Sequence, residues 1–197
     1  MVQIREARRA DAGAIAELHV ATWRATYAGM IPSHVLLGLS STAECIYWQR
    51  AIGARPGLCS VHVAAAEDGE ILGYGSAGPA RPNGLPFAAE IYTLYVAPDH
   101  QEKGLGRELL MVMLEQLRRR GHGSAMLWVL AANPARFFYR AMGGELAARR
   151  RERHFGAELD ELAYSWADLN EPAGAREAAH RGSADSTAPD GRANNHE

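Results

Sequence analysis

The segment Gln101-Glu102-Lys103-Gly104-Leu105-Gly106 joins an apolar, strand-like run to an amphipathic one. Glycine is a poor helix former, yet Gly104 and Gly106 stand where a helix begins. The helix itself is well marked. Leu109, Leu110, Met113, Leu114 and Leu117 form one apolar stripe, and Arg118, Arg119 and Arg120 close it where the macrodipole favours cations. Its opposite end carries free N–H groups and partial positive charge. Glycines there leave the amides open to a closely approaching anion, and pyrophosphate is the usual one. A P-loop would need G-x-x-x-x-G-K-[ST], which is absent. A dinucleotide fingerprint would need a third glycine, where Leu109 stands. The pattern Q/R-x-x-G-x-G/A is met in full. A plain loop-to-helix turn would also account for the glycines taken alone.

The elements that must position this turn follow from periodicity and punctuation. Residues 2–7 alternate as a strand. Asp11 is expected to cap a helix reaching about Tyr27. Pro32-Ser33 starts a short helix, and Thr42 is expected to cap another through Ala51. Residues 59–66 and 71–77 flank Asp68-Gly69, a strong hairpin turn. Residues 90–96 read as a strand, residues 125–131 as another, and Asn133-Pro134 opens a helix stopped by Gly143-Gly144. Residues 146–154 and 159–168 read as a closing antiparallel pair. The order β-α-α-α-β-β-β-α-β-α-β-β predicts an α/β or α+β sheet, largely antiparallel at its start.

The block AEIYTLYVAPDHQEKGLGRELL resembles the acyl-CoA-binding core of the GNAT superfamily of N-acyltransferases, in which a strand ending L-Y-V-x-P precedes the Q-x-x-G-x-G turn and its helix. A second block, NPARFFYRAMGGE, resembles that family's N-x-x-x-x-x-Y-x-x-x-G segment, and HVATWRATYAGMIP resembles the first helices of one acetyltransferase subgroup. The resemblance covers residues 1 to about 168. It departs at Gly144, where many members carry Phe. It implies a mixed, mostly antiparallel twisted sheet of about seven strands with about four or five helices. It also implies transfer of an acetyl group from acetyl-CoA to a primary amine of a small molecule or peptide, by direct attack in a ternary complex.

On that resemblance, Gln101, Glu102, Lys103, Gly104, Leu105, Gly106 and Arg107 hold the pyrophosphate of coenzyme A, while the backbone of Leu94, Tyr95 and Val96 pairs with the pantetheine arm in the manner of strand addition. Glu90, at the head of its strand, is a candidate general base, or else a carboxylate on a solvated strand end. Tyr139 is a candidate acid for the leaving thiolate, or a core phenol. Asn133 contacts the cofactor arm or caps its helix. Trp23 and Tyr27 wall the acceptor pocket or belong to the core. The run Arg149, Arg150, Arg151, Arg153 before His154 is a solvated strand face, or serves an acidic acceptor or the cofactor's ribose phosphate. A non-catalytic acyl-CoA-binding module on the same fold is the competing function.

Composition narrows the remaining classes. Of 197 residues, 47% are hydrophobic, and the net charge of −2 gives no general bias toward nucleic acid or acidic membranes. Cys45 and Cys59 form neither a disulfide framework nor a metal-site spacing, and the histidines show no ligand spacing either. No metal is expected. No run approaches the ~18 apolar residues of a membrane span, and residues 1–13 lack the apolar core of a signal peptide. A soluble, cytoplasmic protein is expected, with pairing of sheet edges into a homodimer compatible with the pattern. Residues 171–197 contain no Val, Ile, Leu, Met, Phe, Tyr or Trp, so the expected domain is 1–170, followed by a disordered tail.

Overall fold

The computed structural model describes residues 1–53 and 59–170. The expected disordered tail lies outside the described residues. The chain runs β1 (Gln3–Glu6), α1 (Ala12–Thr26), α2 (Ser33–Leu37), α3 (Ser41–Ile52), β2 (Ser60–Ala65), β3 (Ile71–Pro79), β4 (Ala89–Val96), α4 (Leu105–Arg119), β5 (Ala125–Leu130), α5 (Ala135–Ala141), β6 (Glu145–His154) and β7 (Ala157–Trp166). Its seven strands form one sheet in the order β1-β2-β3-β4-β5-β7-β6. Every neighbouring pair is antiparallel except β4 with β5. The mixed, mostly antiparallel sheet with flanking helices is therefore present.

Two layers of side chains hold the helices to the sheet. On one face the α4 stripe is sealed, with Leu109, Leu110, Met113 and Leu117 at 0% exposure; burying each such side chain contributes about 1.5–3 kcal/mol. It packs with Ile91, Leu127, Tyr139, Leu162 and Trp166. On the other face α1 and α3 pack Ile15, Ala16 and Trp48 against Val61, Val63 and Tyr74. The glycines of β3 set the depth of α4. A Cβ at Gly75 would lie 2.7 Å from the Met113 side chain, so the helix sits where a strand side chain would otherwise stand.

Local capping differs from expectation at two helices. Asp11 precedes α1, but its side chain makes no cap. Its carboxylate instead accepts from the Arg5 guanidinium at 2.7 and 2.9 Å and from the Arg8 backbone N–H at 2.6 Å. A charged fork outcompetes a neutral amide for the same oxygens. Helix α3 is capped by Ser40 rather than Thr42, with the Ala43 N–H donating to its hydroxyl at 3.4 Å.

Gly144, where the sequence departs from the family it resembles, has a clear physical cause. A Cβ there would approach the Tyr139 carbonyl oxygen to 2.8 Å and the Trp166 ring to 3.2 Å. Trp166 is held in that position by its indole N–H donating to the Met142 carbonyl at 2.9 Å. Gly144→Ala should therefore destabilise the fold by about 1–3 kcal/mol through overpacking. A melting temperature unchanged from the parent chain in thermal denaturation would refute this account.

Candidate active site

The single parallel pair creates the opening. Strands β4 and β5 pair only at Ala89↔Ala125 and Glu90↔Met126. Beyond that point β4 continues with β3 as far as Gly73↔Val96, while β5 stays with β7. The β5-facing edge of Leu94, Tyr95 and Val96 thus has no strand partner. The β3–β4 register also shifts between Ser76 and Ala77, a bulge that places Tyr92 outside the regular pairing.

The glycine turn lies at the open end of β4. Gly104 adopts φ +87°, a left-handed conformation that disfavours a side chain, and no side chain caps α4. The loop is tied back to the strand by Gln101 Nε2 donating to the Val96 carbonyl at 3.1 Å and Lys103 Nζ donating to the Asp99 carbonyl at 2.7 Å. Gln101, Glu102, Lys103 and Arg107 are exposed, and Leu105 is buried as the first residue of the helix. Gly106 is instructive. A Cβ there would meet nothing closer than 3.7 Å, from Phe138 and Val96, and its backbone conformation is an ordinary one. The fold alone does not demand glycine at this position, whereas an anion seated on the helix start would.

Around the opening, residues far apart in sequence meet. The Tyr27 and Tyr95 hydroxyls are 3.0 Å apart. The Asn133 side chain lies near enough to the Tyr27 hydroxyl to help lower its pKa. Asn133 is buried, and its Oδ1 accepts from the Ala135 N–H at 2.9 Å. It therefore caps α5 and reaches the opening at once, so neither sequence reading excludes the other. Tyr139 is buried on α5, against Phe138 and Tyr164. Burial, with a smaller contribution from nearby Tyr27, raises its phenol well above the usual value and keeps it protonated. Burial also raises Tyr27, but the hydrogen bond with Tyr95 and the nearby Asn133 side chain oppose the shift. Trp23 stacks on His19 and packs against Tyr27, with ring centroids at 5.0 and 4.9 Å. His19 is 2.6 Å from the Tyr74 hydroxyl, and burial lowers its pKa to about 4, so this wall is neutral at pH 7.

Glu90 is placed differently. It is 1% exposed, near the closed end of the strand pair. Its carboxylate is not free: Oε2 accepts from the Arg81 backbone N–H at 3.1 Å and Nε at 3.0 Å, and Oε1 accepts from Arg81 Nη2. The Arg81 guanidinium also lies over the Tyr92 ring, 5.3 Å from its centroid. Sequence reasoning missed Arg81 because a Pro- and Gly-rich loop carries no periodicity to relate it to Glu90. It likewise left Trp128 and Glu161 unremarked. Among the described residues no group of three or more His, Cys, Asp or Glu is placed to hold a metal ion, and no helix is long and apolar enough to cross a membrane.

Comparison with known proteins agrees with this geometry. Residues 12–143 match the Acetyltransferase (GNAT) family. The N-acetyltransferase YuaI of Bacillus subtilis is 34% identical over 170 residues, covering 86% of this chain and 95% of its own. The L-amino acid N-acyltransferase MnaT of Escherichia coli is 32% identical, covering 68% and 73% respectively. The structure of yncA from Salmonella typhimurium with its cofactor acetyl-CoA superposes with a TM-score of 0.66 at 26% identity, covering 87% of this chain and 96% of that one.

The glycine turn yields a separable test. The Cβ of Gly106→Asp has room in the fold, and the variant should keep a melting temperature near that of the parent chain. It places a negative charge where a diphosphate would lie, a juxtaposition that costs several kcal/mol, so coenzyme A affinity should fall by roughly 100-fold or more. Calorimetry on the folded variant decides it, and near-normal affinity would refute an anion site at this turn.

Proposed function

The chain belongs to the acetyltransferase (GNAT) family, and from that premise we propose that it transfers an acetyl group from acetyl-CoA to a primary amine of a small molecule or peptide, within a ternary complex. The observation that carries the proposal is the strand edge Leu94-Tyr95-Val96, left without a partner beside the uncapped start of α4. An arm bearing amides completes such an edge, and a diphosphate completes such a helix. Asn133 holds the arm from the α5 side. From the α1 side the opening presents Tyr27, Trp23 and Tyr95 to the acceptor.

The chemistry then follows. The neutral amine attacks the thioester carbonyl carbon, a C–N bond forms and a tetrahedral oxyanion results. Its collapse breaks the C–S bond; the nitrogen loses a proton and the departing thiolate gains one. Tyr139 donates that proton, since its phenol is held neutral by burial. Glu90 receives the amine's proton through water. Three of its acceptor sites are taken by Arg81 and one on Oε1 is left for that proton, which makes Arg81 the group that positions the base.

Three measurements test these assignments. Amine-dependent release of coenzyme A, followed with a thiol reagent over a panel of amines, tests the reaction itself; no release with any amine would refute it. Tyr139→Phe keeps the ring and removes one oxygen. Turnover should fall about 100-fold, the low end of general acid catalysis, with acetyl-CoA affinity and melting temperature unchanged. If affinity falls and saturated turnover does not, Tyr139 is a cofactor contact only. Glu90→Gln should slow the reaction most at pH 6, and the deficit should shrink toward pH 9 as free amine becomes abundant. A deficit constant across that range would remove Glu90 from proton transfer.

A further inference from the structure

The last two strands reach past the site. Strand β5 ends its ladder at Leu130↔Glu161, and the Ala131 N–H donates to the Asp160 carbonyl at 2.8 Å. Beyond that point β7 pairs with β6 alone, so the hairpin stands clear of β5 on the side where β4 and β5 part. Side chains brace its base on the sheet face opposite the core of Leu127, Val129, Leu162 and Tyr164. There the Arg150 guanidinium carbon lies 3.8 Å from the centroid of the Trp128 ring, and Nε donates to Glu161 Oε2 at 2.7 Å. Glu152 is 3.9 Å from Nη1, and His154 Nε2 is 3.7 Å from the same Glu161 oxygen.

The tip of this hairpin is strained. His154 pairs with Ala157, which leaves the two-residue loop Phe155-Gly156. Both residues have positive φ, +56° and +80°. That is a type I′ turn, whose first position favours Asn, Asp or Gly. A bulky side chain in the left-handed region is a true outlier. Core packing does not account for it, since Phe155 is 46% exposed and belongs to neither core cluster. Asn would make the same turn at lower cost.

What the ring does reach is α1. It meets Trp23 edge-on, with centroids 6.4 Å apart and planes at 85°. Trp23 packs on Tyr27 at 4.9 Å, and the Tyr27 hydroxyl is 3.0 Å from that of Tyr95, on the unpaired edge of β4. Helix α1 rests on the β3 and β4 side of the sheet, among Tyr74 and Tyr95, whereas the hairpin belongs to the β5 side. The Phe155–Trp23 contact therefore bridges the opening. It covers little of either ring, and nearly half of Phe155 stays accessible beside the aromatic wall.

Backbone strain of this kind collects where function needs the side chain. We propose that Phe155 determines acceptor specificity: with Trp23 and Tyr27 it forms an aromatic slot that takes up an apolar group carried by the amine. Apolar and aromatic groups are stabilised by burial against such rings without any charged partner. The proposal rests on the transfer reaction put forward above and adds the chemistry of the acceptor's far end.

The test compares 2-phenylethylamine with ethylamine, which keeps the amine and lacks the ring. Binding is measured by calorimetry to the full chain saturated with coenzyme A, so the result does not depend on turnover. The parent chain should bind 2-phenylethylamine about 10-fold or more tightly than ethylamine. In Phe155→Asn that preference should collapse, with coenzyme A affinity unchanged, and Phe155→Tyr should restore it. The same Asn variant should melt about 2–4 °C higher, because Asn suits the turn. No binding of 2-phenylethylamine, equal binding of the two amines, or an unaltered preference in Phe155→Asn would each overturn the proposal. So would a melting temperature several degrees lower in Phe155→Asn, which would make the ring a clasp for the hairpin. Release of coenzyme A from acetyl-CoA with ethylamine but not with 2-phenylethylamine would overturn the slot and leave the transfer reaction standing. The predicted binding preference without release of coenzyme A by any amine would leave the slot and refute the reaction.

Discussion

Everything at the site depends on two parallel strands that pair at one end and part at the other. A sheet interior normally consumes every backbone donor and acceptor, because burying one unpaired is costly. Here β4 and β5 share the short ladder at Ala89 and Glu90 and then separate. The bulge in β4 and the parting of β5 toward β7 leave the edge of Leu94, Tyr95 and Val96 open in the middle of the molecule. Such an edge is tolerable where a ligand supplies the missing groups. The glycine turn, the uncapped α4 and the aromatic wall are all arranged around it.

Charge on the face of the sheet that carries Glu90 follows a consistent rule. Two arginines there are each fixed by a carboxylate less exposed than themselves: Arg81 by Glu90, at 66% against 1% side-chain exposure, and Arg150 by Glu161, at 30% against 13%. The more buried partner carries the desolvation cost and is stabilised by the cation, which keeps an edge toward solvent. The carboxylates thereby determine where positive charge is presented. By contrast, the start of α4 presents backbone amides and glycine to the opening, with no side-chain cap.

Much of this was legible in the sequence for a local reason. The turn at residues 101–106, the α4 stripe and the Asn133-Pro134 start each report on a few consecutive residues, and each element exists where it was expected, within a residue or two. The capping errors were also local. Asp11 lost its capping role to an arginine six residues away, and Thr42 to Ser40, both competitions that side-chain type alone does not decide. What could not be read was convergence. Tyr27, Tyr95 and Asn133 come from a helix end, a strand and a strand–helix turn, and only the sheet order brings their polar groups together. The Arg81–Glu90 pair crosses from an irregular loop to a strand, and the special place of Arg150 within its run depends on Trp128 two strands away. Strand periodicity predicts which face a residue takes but not who shares it.

One consequence concerns β3. Its glycines leave no side chain between the strand and α4, and the nearest atoms to a Cβ at Gly75 belong to Met113. Helix and strand are therefore in backbone-to-side-chain contact, and the atoms that must give first are the flexible end of Met113. The height of α4 above the sheet is inherited from the strand's lack of bulk, and with it the height of the amides at the helix start. A gain in volume at position 75 beyond what the end of Met113 can yield would tilt the helix, and the first property to drift would be the fit of a ligand at the helix start, before any element of the fold gave way.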